Sequence, residues 1–146
     1  GGQQFIGLAG NDTITGGTGG GSDEVRYDID AFFGGEAGVN VNLLTGVAID
    51  GFGNTDSLSG IERVRGTSED DTLIGNASTN RLRGLEGNDI IDGGDGTDTA
   101  VYLNNFASYN LVRLGSDSIS VNSFELLINV ENIQFADQTI STDLIL

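Results

Sequence analysis

The chain alternates glycine, polar and apolar positions in a pattern that repeats every nine residues. Residues 66 to 101 divide without a gap into four blocks, GTSEDDTLI, GNASTNRLR, GLEGNDIID and GGDGTDTAV, and residues 7–15 (GLAGNDTIT) follow the same pattern. Each block begins with glycine. In the four consecutive blocks the sixth position is Asp71, Asn80, Asp89 or Asp98, and the eighth is Leu73, Leu82, Ile91 or Ala100. Because successive side chains of a strand point to opposite faces, the last three positions predict a short strand with one inward apolar residue. The six glycine-rich positions before it predict a tight turn.

Two blocks, eighteen residues, make one full turn of chain with a strand on each side. Stacked turns then pair as parallel strands roughly 4.8 Å apart. The sequence therefore predicts an all-β fold, a right-handed parallel β-roll, with a thin core of one apolar residue per strand.

The segments outside the nine-residue blocks contain a second, longer repeat. Residues 22–27 align with residues 97–102, and DSLSGIERV (56–64) aligns without gaps with ELLINVENI (125–133). Alternating polarity predicts a strand at residues 39–43 and a hairpin from residues 109–114 and 119–122. We expect three segments: a first cassette at 1–65, the core blocks at 66–101, and a hairpin insert with a C-terminal cap at 102–146. The cap residues are predicted to be Phe135, Ile140, Leu144, Ile145 and Leu146.

Composition and charge restrict the function. The formal net charge is −16, and histidine, cysteine and lysine are absent. These absences remove the commonest general base, thiolate metal sites and Schiff-base chemistry, so an enzyme is the least favoured class. So strong a polyanion is not expected to bind nucleic acid, and the chain lacks an apolar run long enough to span a membrane. Two interpretations remain: a disordered chain, or a fold whose carboxylates are neutralised by bound cations.

The spacing of the sixth positions favours the second interpretation. Residues eighteen apart stack, so Asp71 is expected beside Asp89, and Asn80 beside Asp98. Paired carboxylates among turn carbonyls repel each other unless a cation lies between them. A site made only of oxygen atoms suits calcium better than zinc or magnesium.

The blocks resemble the GGxGxDxUx nonapeptides of the repeats-in-toxin (RTX) family. GGDGTDTAV matches every position when alanine is accepted as the apolar residue, and GLAGNDTIT and GLEGNDIID lack only the second glycine. The resemblance implies calcium binding, export in an unfolded state by a type I exporter, and an extracellular or cell-surface location.

The family pattern also implies the ligands of two ions between loops eighteen residues apart. The first ion takes Thr67, Glu69 and Asp71 with Gly84, Glu86 and Asp89. The second takes Asn76, Ser78 and Asn80 with Gly93, Asp95 and Asp98, and is expected to be weaker because Asn80 replaces a carboxylate. Asp12 is a further candidate, as is Asp23, for which a ligand and a turn-former are equally favoured. No site is predicted on the far side of Asp89 or Asp98, because residues 102–107 offer no matching loop.

Four arginines share the eighteen-residue spacing: Arg63 with Arg81, and Arg65 with Arg83. If residues 57–65 form a degenerate block, they stack as two outward ladders. One interpretation is a solvent-facing strand balanced by acidic neighbours such as Asp92. The other is a cationic strip that binds an acidic polysaccharide, as the repeat modules of alginate epimerases do. The sequence thus predicts a calcium-binding β-roll module of a secreted bacterial protein, with a calcium-dependent polysaccharide-binding module as the alternative.

Overall fold

The computed structural model describes all 146 residues as two β-sheets around one core, with no α-helix. Three short 3₁₀ helices lie at Asp30–Phe33, Phe106–Ser108 and Thr142–Leu144. None of them has the length and apolar character needed to cross a bilayer. The strands are β1 (Gln4–Phe5), β2 (Thr13–Thr15), β3 (Glu24–Arg26), β4 (Asn40–Asn42), β5 (Val47–Ile49), β6 (Thr55–Ser59), β7 (Arg63–Arg65), β8 (Thr72–Ile74), β9 (Arg81–Arg83), β10 (Ile90–Asp92), β11 (Thr99–Val101), β12 (Leu111–Arg113), β13 (Ser118–Val121), β14 (Glu125–Ile128), β15 (Asn132–Gln134) and β16 (Thr139–Ser141).

Successive blocks place their strands alternately in the two sheets. One sheet has the order β1-β3-β7-β9-β11-β15-β16, and the other has the order β12-β13-β14-β10-β8-β4-β5-β6-β2. Leu73 is opposite Ile91 and Leu82 is opposite Ala100, both in parallel pairs eighteen residues apart. These registers confirm the predicted parallel β-roll.

The core consists mainly of one inward side chain from each short strand. Leu73, Leu82 and Ile91 are buried between partly exposed neighbours, as the eighth position of the block requires. The main apolar cluster contains 21 buried residues. It runs from Ile14 in the first cassette to Phe135 near the end of the chain, so all three expected segments share one core.

The meanders of both inserts join the nine-stranded sheet. In the first, β4, β5 and β6 form an antiparallel meander, and β4 also pairs in parallel with β8. In the second, β12, β13 and β14 form another meander, and β14 pairs in parallel with β10. The predicted hairpin around residues 115–117 is confirmed. The inserts therefore lengthen the sheet that carries β8 and β10.

The C-terminal cap packs through only part of its predicted apolar set. Phe135 is buried, and Ile140 and Ile145 pack against the core. Leu144 and Leu146, however, are exposed, so the prediction was wrong for them. The 3₁₀ helix Thr142–Leu144 ends the sheet, and the chain is held there by polar contacts instead. The Arg113 guanidinium donates to the carbonyls of Thr142 and Ile145.

Candidate calcium sites

The residues just before the parallel strands stack on one another from turn to turn along the edge of each sheet. We call each such stack of side chains a column. On the edge beside β8 and β10, Asp71 precedes β8 and Asp89 precedes β10. On the opposite edge, the registers of β9 and β11 bring Asn80 beside Asp98. Both predicted pairs are therefore brought together by the fold. All four side chains are nearly or completely buried.

Hydrogen bonds connect each column from turn to turn. The backbone N–H of Asp71 donates to Asp89 Oδ1 at 2.9 Å, and that of Asn80 donates to Asp98 Oδ1 at 2.7 Å. Asp71 also accepts within its own loop, from the backbone N–H of Thr67 at 2.6 Å and from the Thr67 hydroxyl at 2.9 Å. The carboxylates are thus held in place by donors from two adjacent loops.

Carbonyl oxygens of one loop face glycines of the loop stacked on it. A side chain added at Gly94 or Gly96 would contact the carbonyl oxygen of Asn76 or Ser78, respectively. In the opposite direction, a side chain at Gly75 would overlap the carbonyl oxygen of Gly93. The second predicted ligand set therefore has three of its carbonyls between its two loops.

The first predicted ligand set has a similar arrangement. The Glu69 carbonyl oxygen faces Gly87, and the Gly84 carbonyl oxygen faces Gly66. The side chains of Glu69, Glu86 and Asp95 are exposed, whereas the Glu69 carbonyl oxygen lies between the loops.

No arginine neutralises the paired carboxylates. The three ion pairs of the protein join Arg26 and Arg65 to Glu24 and Asp28, outside both columns. Burial raises the pKa of Asp89 from 3.8 to about 7, and the nearby Asp71 carboxylate adds to the increase.

The pKa of Asp71 is raised by its burial as well. Burial also raises the pKa of Asp98 to about 6, with a contribution from Glu131. Buried charges in proteins are normally paired or bound to metal, so these columns favour a cation supplied from solution.

The donor set fits calcium. No group of three or more Asp, Glu, His or Cys side chains is positioned to hold a metal ion. An ion in these loops would therefore draw much of its coordination from backbone carbonyls, together with two side chains. Calcium accepts six to eight oxygen ligands in flexible geometry, whereas zinc prefers nitrogen and sulfur in a tetrahedron.

Asp12 and Asp23, the two remaining candidates, lie in different columns. The backbone N–H of Asp12 donates to Asp56 Oδ1 at 3.0 Å. Asp23 is buried, and its own N–H donates to Glu62 Oε2 at 2.9 Å. Each therefore has an acidic partner in the next turn, but that partner lies outside the core blocks.

Sequence reasoning missed these partners, although the signal was present. Asp56 and Glu62 belong to the segment that aligns without gaps with residues 125–133. The same alignment places Glu125 and Glu131 at the matching positions, where they continue the columns beyond Asp89 and Asp98. The alignment identified the strands correctly, but the column position just before each strand was not extended into the inserts.

The arginines stack as the spacing predicts. Arg63 is opposite Arg81 and Arg65 is opposite Arg83 on the outer face of one sheet. Arg63, Arg81 and Arg83 have no carboxylate within 4.0 Å. Burial lowers the pKa of Arg81 and Arg83, and the facing arginines add to the decrease.

The expectation that Asp92 balances these arginines was wrong. Asp92 lies on β10 in the other sheet, where it accepts hydrogen bonds from the Asn129 amide at 3.0 Å and the Gly94 N–H at 3.1 Å. The acidic neighbours of the arginines are instead Glu24 and Asp28 on and after β3, which pair with Arg65 at 3.5 and 3.6 Å.

Comparison with known families agrees with this geometry. The sequence model of the RTX calcium-binding nonapeptide repeat matches four copies, within residues 1–20, 56–86 and 65–100. A comparison with curated proteins gave no match. The matched residues include both predicted loop pairs and the segment that carries Asp12. The repeat array of this chain thus matches the RTX calcium-binding nonapeptide repeat, a family whose repeats bind calcium.

Proposed function

We propose that this chain is a folding module of a secreted bacterial protein, exported unfolded by a type I exporter and folded by calcium outside the cell. One observation supports the proposal most strongly: buried carboxylates stack in columns with no basic side chain beside them. Their repulsion opposes the compact state, and an ion bound only by the native state stabilises it by mass action.

A calcium titration followed by far-ultraviolet circular dichroism tests the proposal. We expect a largely unfolded spectrum in chelator and a β spectrum as calcium rises through the range of extracellular modules, about 10⁻⁴ to 10⁻³ M. Magnesium at the same concentrations is the control and should fold the chain poorly, because it dehydrates reluctantly and demands octahedral geometry. A complete β spectrum in chelator that calcium leaves unchanged would refute the proposal.

A second candidate function is supported by the arginines on the outer sheet face. Arg63, Arg81 and Arg83 are half-buried without a carboxylate partner, and like charges opposite one another in a sheet are destabilising. The planar guanidinium binds carboxylates in a bidentate manner. We therefore propose this face as a weak, salt-sensitive binding surface for an acidic polysaccharide, attached in that case to an exoenzyme.

Titration of alginate or polygalacturonate into the calcium-loaded protein tests this surface. The measurement is the NMR chemical shift of the Arg81 and Arg83 side chains. The double variant R81E/R83E controls for gelling of these polymers by calcium. Arg113, which is bound to the C-terminal segment, serves as an internal reference whose resonance should not move. Unshifted Arg81 and Arg83 signals, or equal binding by the variant, would leave these residues as ordinary surface side chains.

A further inference from the structure

The column that contains Asp98 does not end there. The next residue in it is Glu131, whose Oε2 accepts the backbone N–H of Asp98 at 2.7 Å. Glu131 closes a three-residue corner, Asn129-Val130-Glu131, that leads into β15. Asn129 has a φ of +50°, so the chain turns here in half the length of a regular loop. A short corner thus takes the place of the missing nonapeptide loop.

The oxygens of this corner are arranged like those of a loop in the core blocks. A side chain at Gly75 would overlap the carbonyl oxygen of Gly93, and in the next turn a side chain at Gly93 would overlap the carbonyl oxygen of Asn129. The first residue of the corner therefore presents its carbonyl as the first residue of a loop does. The longer side chain of Glu131 compensates for the shorter corner and reaches the column.

Asp98 has a free oxygen on the side of its loop that faces this corner. The side chain is completely buried, and Oδ2 has no hydrogen-bond partner. A side chain at Gly93 would contact both Asp98 Oδ2 and the Asn129 carbonyl oxygen, so these two oxygens converge on the same side of Gly93. An unpaired, fully buried carboxylate oxygen is costly unless it binds a cation.

Among the column carboxylates of the core blocks, Asp98 has the buried oxygen without a partner, and Asp12 Oδ2 in the first cassette is unpaired as well. In the loops of Asp71 and Asp23, the N–H of the second loop residue donates to the column carboxylate, from Thr67 and Gly17, both at 2.6 Å. In the loop of Asp98 the equivalent Gly94 N–H donates to Asp92 Oδ1 instead, at 3.1 Å. Asp98 Oδ2 therefore remains available to a ligand.

We propose that a further calcium ion binds between the loop of residues 93–98 and the corner of residues 129–131. Asp98 Oδ2, the Glu131 carboxylate and the Asn129 carbonyl are its ligands, and other loop carbonyls or water complete the shell. This site rests on the proposed calcium-dependent fold but lies outside the pairs of nonapeptide loops. It has two carboxylates, so it should bind calcium more tightly than the site that contains Asn80.

The proposal differs from the expectation that no site forms on the far side of Asp98. That expectation considered residues 102–107, which are adjacent in sequence. The second insert instead brings residues 129–131 into this position, because β15 pairs in parallel with β11.

The variant Glu131→Gln tests the proposal. Isothermal titration calorimetry measures how many calcium ions the full chain binds with and without the substitution. Glu36→Gln is the matched control, because Glu36 is exposed and outside both columns. We expect Glu131→Gln to bind one calcium fewer than the wild type and the control. Equal stoichiometry and affinity for the two variants would overturn the site. A wild type that neither binds calcium nor folds with it would instead overturn the proposed function.

If Glu131→Gln fails to fold, anomalous difference density from calcium-loaded wild-type crystals tests whether the site is occupied. A calcium peak between Asp98 and Glu131 supports the site. Peaks between the nonapeptide loops without one at this position overturn it, while leaving the proposed function intact.

Discussion

Replacement of Asp89 by asparagine should change stability in opposite directions with and without calcium. Asp89 is 1% exposed, and its Oδ1 accepts the Asp71 N–H. Asparagine keeps this oxygen and nearly the same volume, so the substitution removes the charge with little change in packing. In calcium the variant should be less stable, because the predicted site loses a carboxylate ligand.

Without calcium the sign reverses, and the pKa of Asp89 gives the magnitude. Burial raises this pKa from 3.8 to about 7. Between these two values the native state holds a proton that the unfolded chain has released, so the free energy of unfolding falls as pH rises through this window. Three pKa units correspond to about 4 kcal/mol at 1.36 kcal/mol per unit. The calcium-free variant should therefore be more stable than the wild type by up to about 4 kcal/mol near pH 8, and no more stable near pH 4.

Because the wild type is expected to be largely unfolded in chelator, folding is promoted there with trimethylamine N-oxide. The osmolyte midpoint, followed by circular dichroism across this pH range, measures the difference. Asp95→Asn is the matched control, because the Asp95 side chain is exposed and the change in charge is the same. If both variants show the same pH profile, the buried charge of Asp89 does not destabilise the calcium-free fold.

Three further predictions concern the ligands, the core and the first insert. Asp89→Ala should weaken calcium binding more than Asn80→Ala, and Asn80→Asp should tighten calcium binding, because a carboxylate facing the ion adds charge. Isothermal titration calorimetry measures the affinity of all three variants. A larger loss of affinity at Asn80 would contradict the predicted pairing of loops. Leu82→Ala should lower the free energy of unfolding of the calcium-loaded protein by about 2–5 kcal/mol in urea, since this side chain is fully buried. Tyr27→Phe should lower it by about 1.5–3 kcal/mol, because the phenol donates to Asp56 Oδ2 at 3.1 Å; an unchanged urea midpoint would show that this contact contributes no stability.

The sequence predicted those parts of the fold in which one local rule repeats. The eighth position of the block placed Leu73, Leu82 and Ile91 in the core, since glycine turns and single inward residues recur at a fixed spacing. The hairpin at residues 109–122 was also predictable, because its alternation and its turn are local signals.

The inserts limited what the sequence could predict. The register of β4 on β8 joins residues 32 apart, and that of β14 on β10 joins residues 36 apart. Because these separations differ, no single repeat length predicts both registers. The glutamate corners were missed for the same reason. Corners of three residues, which end in Glu62 and Glu131, take the place of six-residue loops. Glu62 holds the sixth position of the degenerate block 57–65, but the column was not extended to it.

The positions of the arginines explain why folding should depend on an external ion. Five of the six lie on or beside the outer face of β3, β7 and β9, and the sixth, Arg113, binds the C-terminal segment. No basic side chain is left to enter the columns, so only a cation from solution can neutralise them. One ion at one hundred times its dissociation constant contributes about 2.7 kcal/mol, which is less than the roughly 4 kcal/mol by which the Asp89 charge opposes folding. Because both predicted ligand sets belong to one fold, ions bound at both sets add their stabilisation, and the folding transition is expected to be a steep function of calcium concentration.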